Sequence, residues 1–82
     1  MSLHWFSPPV PIKVRVGLTL NVSNVEAAGA ELLRFTKKGK HWRRAVECVV
    51  AFGEGQASVA DVRRTFRLAA KEEGVLMPEE VS

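Results

Sequence analysis

One cysteine, Cys48, and no tyrosine occur in the 82 residues. A single thiol cannot close a disulfide within the chain, so the fold must rest on its core, and this usage fits a reducing compartment. No apolar run approaches the roughly 20 residues that a membrane helix needs. The opening MSLHWFSPPVP lacks the charged-then-apolar layout of a secretory signal. A cytoplasmic location, with no membrane partner, is the expectation. Motifs for chemistry are also missing. His4, His41 and Cys48 show none of the CxxC, HxxxH or HExxH spacings that put two ligands on one metal ion. No glycine-rich phosphate loop is present, and Glu54 at the centre of Gly53-Glu54-Gly55 would repel phosphate.

Nucleophilic chemistry finds equally little. Cys48 sits in a helical pattern beside Val49 and Val50, where a cysteine behaves as a small core hydrophobe. His41 is two helical turns away along the axis. Ser7, Ser23 and Ser58 have no base at recognisable spacing. The acid pairs Glu72–Glu73 and Glu79–Glu80 are adjacent in sequence, so on a helix their side chains diverge by about 100 degrees and are expected to be solvated. No catalytic residue, metal or cofactor is expected, and the chain reads as a protein that is not an enzyme.

The remaining absence is local. Between residues 34 and 44 there is no acid, while Arg34, Lys37, Lys38, Lys40, Arg43 and Arg44 are all basic and His41 and Trp42 lie among them. The net charge of the whole chain is only +3, so this asymmetry belongs to one segment and not to the protein at large. Exposed bases ordinarily just solvate a surface. The alternative is an anion or nucleic-acid patch in which these bases meet phosphates and Trp42 or His41 offers a stacking face.

A chain of this length has room for one domain and one core. Residues 1–9, with Pro8 and Pro9, read as an extended arm with Trp5 and Phe6 laid against the body, and 78–82 as a frayed end. Ile12, Val14 and Val16 alternate with Lys13 and Arg15. Leu18, Leu20 and Val22 alternate with Thr19 and Asn21. Period two with β-branched residues predicts two strands in a hairpin with Gly17 in the turn. Partners must share a face, which predicts a three-residue loop pairing Val16 with Leu20 and Val14 with Val22, or a bulge with the same effect.

Ser23 and Glu26 have capping-box spacing and predict a first helix ending near residues 35–37, with a stripe of Val25, Ala28, Gly29, Leu32 and Phe35. Gly29 is expected where the helix lies close on the sheet. A second, largely buried helix is predicted over 41–52, with Trp42, Ala45, Val46, Val49 and Phe52 on one side. Ser58 and Asp61 start a third helix, whose stripe is Val59, Val62, Phe66, Ala69 and Ala70, with Gly74 as its left-handed cap. Residues 75–77 form a third strand or a packed tail. The order predicts an α+β fold: an antiparallel hairpin, with a short third strand as an option, followed by three helices on one face.

Pro9–Val10 at the first strand, the capped first helix, Gly39, Trp42, Ala45, Cys48, and Arg64–Phe66–Ala69–Ala70–Gly74 recur in an order and spacing that resembles the short bacterial proteins grouped as domain-of-unknown-function family 982. The resemblance spans roughly 5–76 and includes HWRRAVECVVAFGEGQASVADVRRTFRLAAKEEGV. Phe35–Thr36 stands where such proteins often carry tryptophan–proline. The resemblance implies a compact α+β domain of bacterial, cytoplasmic origin and brings no activity with it. The functional expectation is a non-catalytic interaction or regulatory module, with nucleic-acid binding through residues 34–44 as the alternative. An acidic protein at that loop and a homodimer through a sheet edge are the expected kinds of partner. A helix-turn-helix reading, with Arg63, Arg64 and Arg67 toward DNA, is weakened by the long turn before Ser58 and by the preceding hairpin.

Overall fold

The computed structural model describes residues 4–77. The elements run β1 (Trp5–Arg15), β2 (Leu18–Asn24), α1 (Val25–Leu32), α2 (Lys40–Gly53) and α3 (Val59–Glu73). The fold is α+β, as the alternation and the helical stripes predict. β1 and β2 form the antiparallel hairpin. Leu76 adds a single antiparallel bridge to Ile12 on the other side of β1, so the apolar segment after Gly74 takes the place of a short third strand. The expected frayed end at 78–82 lies outside the described residues.

The hairpin keeps its faces matched by the second of the two expected devices, a bulge, and not by a three-residue loop. Val10 pairs with Val22 and Ile12 with Leu20, and the register shifts between Lys13 and Arg15. Val14 is therefore an extra residue on β1, a bulge that restores parity before a two-residue turn of Val16 and Gly17. Gly17, the second residue of the turn, carries φ 79, a left-handed conformation that glycine adopts without steric cost. The expected pairs Val16–Leu20 and Val14–Val22 are thus overturned, and Val16, expected on the inner face, is 90% exposed in the turn. The extended arm is part of the sheet from Trp5 onward, where Trp5 pairs with Asn24. A second register irregularity falls between Trp5 and Val10, across Pro8 and Pro9, which have no N–H for a ladder. Phe6 is buried as expected, whereas Trp5 is 63% exposed.

Two helix predictions also need correction. β2 runs one residue past Ser23, and the cap of α1 is Asn24, whose Oδ1 accepts the Ala27 N–H at 2.7 Å. Asparagine caps at least as well as serine, so the longer strand loses nothing. Glu26 is drawn away from the cap: it accepts from the His4 backbone N–H (3.1 Å) and meets His4 Nδ1 at 2.8 Å. These His4 contacts, the side-chain one first, hold the Glu26 carboxyl below its ordinary value. α2 is not largely buried. Of its fourteen residues Ala45 alone is fully buried, and Val50 is 57% exposed. α1 and α3 lie on the sheet, while α2 packs chiefly on α3 and α1 as the outer element.

The core is therefore built mainly by β1, β2, α1 and α3, with Ala45 of α2 and Phe35 of the loop after α1 completing it. Val10, Ile12, Val22, Ala28, Leu32, Val62 and Phe66 are essentially solvent-free, and Phe35 stacks on Phe66 with centroids 5.9 Å apart. Trp42, Val46, Cys48, Val49 and Phe52 cover this core from α2 without being sealed in it. α3 follows its sequence signals closely. Ser58 and Asp61 form a reciprocal capping box, and Gly74 takes the left-handed cap at φ 83. The Ser58 backbone N–H, followed by its hydroxyl, lowers the Asp61 carboxyl.

Gly29 faces α2, not the sheet. A methyl placed there would meet Val49 Cγ1 at 3.6 Å, ordinary van der Waals contact. Gly29→Ala is therefore expected to stabilise the protein by up to about 1 kcal/mol, through restored helix propensity. A urea titration measures it, and a destabilised variant would show that α1 and α2 lie closer than this contact allows.

Candidate functional site

The basic segment spans the loop from α1 to α2 and the first turns of α2. Its shape is set by competition for main-chain groups. A helix running to residue 36 would bond the Thr36 N–H to the Leu32 carbonyl. Instead the indole Nε1 of Trp42 donates to that carbonyl at 2.6 Å. The Thr36 N–H donates to Glu73, with contacts of 3.0 and 2.9 Å to its two oxygens. Arg34 N–H donates to Glu31 O and Phe35 N–H to Leu32 O, which tightens the final turn. α1 thus ends at Leu32, short of the predicted boundary, because tertiary partners outbid its last helical bond.

The acids that hold this loop are Glu72 and Glu73, which were expected to be solvated. Glu73 also accepts from the Thr36 hydroxyl at 2.9 Å and the Lys37 N–H at 2.8 Å. Partial burial pushes its carboxyl up most strongly of any single influence. The donors of Thr36 and Lys37, with the Lys37 charge, together outweigh that and leave it below the ordinary carboxylate range. Glu72 accepts from the His41 N–H at 3.4 Å and the Trp42 N–H at 3.2 Å. α2 needs this help, because its cap residue Gly39 offers no side chain and its first turn has no acid. Gly39 leaves room for this approach: a methyl there would lie 2.6–2.8 Å from the Glu72 carboxylate atoms and the end of that side chain would have to shift. A helix start full of bases with no local cap was the signal in the sequence that an acid must arrive from elsewhere.

The loop, so held, presents its bases outward. Lys37, Lys38, Lys40, Arg43 and Arg44 are exposed. Lys38, Lys40, Arg43 and Arg44 line one shallow depression of about 390 Å³ together with Gly39 and Glu47. Arg34 and Lys37 do not line it, and Arg34 pairs with Glu31 at 3.8 Å. Among the described residues, no ion pair joins Lys37, Lys38, Lys40, Arg43 or Arg44 to a carboxylate. A second depression of about 200 Å³ lies between α2 and α3, lined by His41, Arg44, Arg64, Thr65 and Leu68. Arg44 borders both, so the basic surface continues onto α3 through Arg64, a residue outside the basic segment.

The aromatic component is different from the expectation. The Trp42 indole is pinned to Leu32 and packs on the core, and the Lys38 ammonium lies 5.4 Å from its ring centroid. It is a structural pillar and not a free stacking platform. The α3 arginines are likewise engaged: Arg63 Nε donates to Pro8 O at 2.7 Å and Arg64 pairs with Asp61 at 3.2 Å. Cys48 is partly buried against the core. Among the described residues, no group of three or more histidine, cysteine or acidic side chains could hold a metal ion, and no helix is long and apolar enough to cross a membrane. Comparison with family models, with curated proteins and with solved structures finds no match.

Proposed function

We propose that this protein is a non-catalytic interaction module that docks an acidic protein surface on the basic face of α2. The observation that carries this reading is the division of labour among charges. Lys38, Lys40, Arg43 and Arg44 surround one depression whose lining holds a single acid, Glu47, and no ion pair ties them among the described residues, while Glu72 and Glu73 serve main-chain donors. Bases gathered at the positive end of a helix dipole disfavour the free fold, and an anionic partner relieves that repulsion. The resemblance to family 982 and the single cysteine support a bacterial, cytoplasmic setting for this role.

Nucleic acid is the second reading. Its support is the second depression, where His41 and Arg64 extend the basic surface across α2 and α3. The engaged Trp42 counts against single strands, which are held largely by stacking.

One experiment separates the two. Labelled polyglutamate and a DNA duplex are titrated over a range of salt, with wild type and with Lys38, Lys40, Arg43 and Arg44 changed to glutamine. Binding to polyglutamate at low salt, weakened in the variant, is the expected outcome. Preference for the duplex, with a salt slope that shallows by up to about 0.9 per neutralised contact, makes nucleic acid the ligand. No affinity for either polyanion at low salt overturns the role of the basic face.

A further inference from the structure

The two edges of the sheet are finished differently. The outer edge of β1 is occupied: Lys13 N–H donates to Val75 O at 2.7 Å and Met77 N–H donates to Pro11 O at 3.0 Å. The outer edge of β2 has no strand beside it among the described residues. Natural edge strands are protected by charge, proline, a bulge or a covering element. β2 reads Leu18-Thr19-Leu20-Asn21-Val22-Ser23-Asn24, with no charge and no proline, and the bulge of this hairpin lies on β1. Leu18 to Asn21 are all exposed, with Leu18 at 44% and Leu20 at 39%.

The contacts at the far edge fix which main-chain groups point outward. Pro11 and Lys13 turn theirs toward residues 75–77. In an antiparallel ladder the hydrogen-bonded pairs alternate, so Ile12 bonds Leu20 while Thr19 and Asn21, opposite Lys13 and Pro11, direct their N–H and C=O groups to the open side. Leu20, opposite the buried Ile12, shares the helix-side face with Val22.

We infer that β2 pairs with β2 of a second copy, antiparallel, about a twofold axis at Leu20. In that register Thr19 and Asn21 exchange main-chain hydrogen bonds with the second copy's Asn21 and Thr19. Leu20 meets its own counterpart, and Leu18 meets the second copy's Val22, so the apolar positions of both strands stay on the helix side. A one-residue slip would mix faces and is excluded. The identical strand is the favoured occupant because the alternation is symmetric about Leu20 and no charge on β2 meets its like. The pairing also turns a two-stranded hairpin, marginal alone, into a continuous four-stranded sheet. It is independent of the basic face, which lies at the opposite end of α1, about 12 Å along its axis.

The test is mass against concentration. Sedimentation of the wild type is expected to show a monomer–dimer equilibrium between micromolar and millimolar concentration. Leu20→Lys sets two ammonium groups face to face at the axis and is expected to abolish the dimer while keeping the helical circular dichroism of wild type. Cross-linking covers the case in which that variant misfolds. Leu20→Cys with Cys48→Ala is expected to oxidise to a disulfide dimer, since a non-hydrogen-bonded pair brings Cα atoms to about 4.5 Å, inside the disulfide range. Thr19→Cys in the same background is expected to cross-link far less. A wild type that stays monomeric to millimolar concentration overturns the proposal, as does preferential cross-linking at Thr19.

Discussion

Phe66→Ala is expected to lower the melting temperature by at least about 12 °C, the largest loss of stability for a single substitution in this protein. Phe66 is fully buried at the centre of α3's inner face, and its ring stacks on Phe35 at 5.9 Å with an interplanar angle of 27°. Truncating such a phenylalanine costs about 3–5 kcal/mol, from lost transfer energy and the cavity left behind. A domain of this length has only about 4–12 kcal/mol in total, so the variant stands near the edge of folding. The damage also reaches the loop, because Phe35 immediately precedes Thr36. Thermal unfolding by circular dichroism measures it, with Val50→Ala, an exposed position, as a control within about 0.5 kcal/mol of wild type. A Phe66→Ala loss below about 1 kcal/mol would show that the core is organised around other residues.

The double substitution Glu72→Ala, Glu73→Ala is expected to be next in size, at about 1–4 kcal/mol, each carboxylate acting as a helix cap. Together these side chains accept from the backbone of Thr36, Lys37, His41 and Trp42 and from the Thr36 hydroxyl. Their removal leaves the start of α2 without a cap and frees the loop that presents Lys37 and Lys38. Amide exchange at Thr36, Lys37, His41 and Trp42 should accelerate well before the core opens. Unchanged protection there would refute the clamp.

The pH dependence of Glu73 follows from the direction of its shift. Its carboxyl is lowered in the folded state. The folded protein therefore favours the ionised form, and this contribution is fully present above the ordinary glutamate range. It is lost as pH falls through the lower folded value. Acid unfolding of wild type should include this component, and Glu73→Gln should lack it while remaining less stable at neutral pH. Equal acid sensitivity in both proteins would remove Glu73 as a source.

The difference between these two predictions marks how far the sequence reaches. Phe66 was legible, because Val62, Phe66, Ala69 and Ala70 repeat at helical spacing and bury one face of α3. Ile12 and Val22 were legible in the same way from their alternation, although the proline-rich entry and the bulge at Val14 moved the pairing and Val10 was not read as core. Glu72 and Glu73 were not. Their adjacency on a helix argues against joint action at one point, and nothing local says that a loop thirty residues upstream needs two acceptors at two neighbouring places. Trp42 showed the same ambiguity: its spacing fitted both a core stripe and a stacking surface, and the Leu32 carbonyl chose between them.

By itself the sequence determined the α+β class, the buried stripes of α1 and α3, the caps of α3 and the cluster of bases from Arg34 to Arg44. Those features depend on neighbours within a few residues, where periodicity and capping chemistry act. Only the tertiary structure decided where α1 stops, which bases share a depression, what holds the loop in place and which strand edge stays open. Each of these is a contest for a hydrogen-bond partner or a surface between segments far apart in the chain, and its outcome exists only once those segments are packed together.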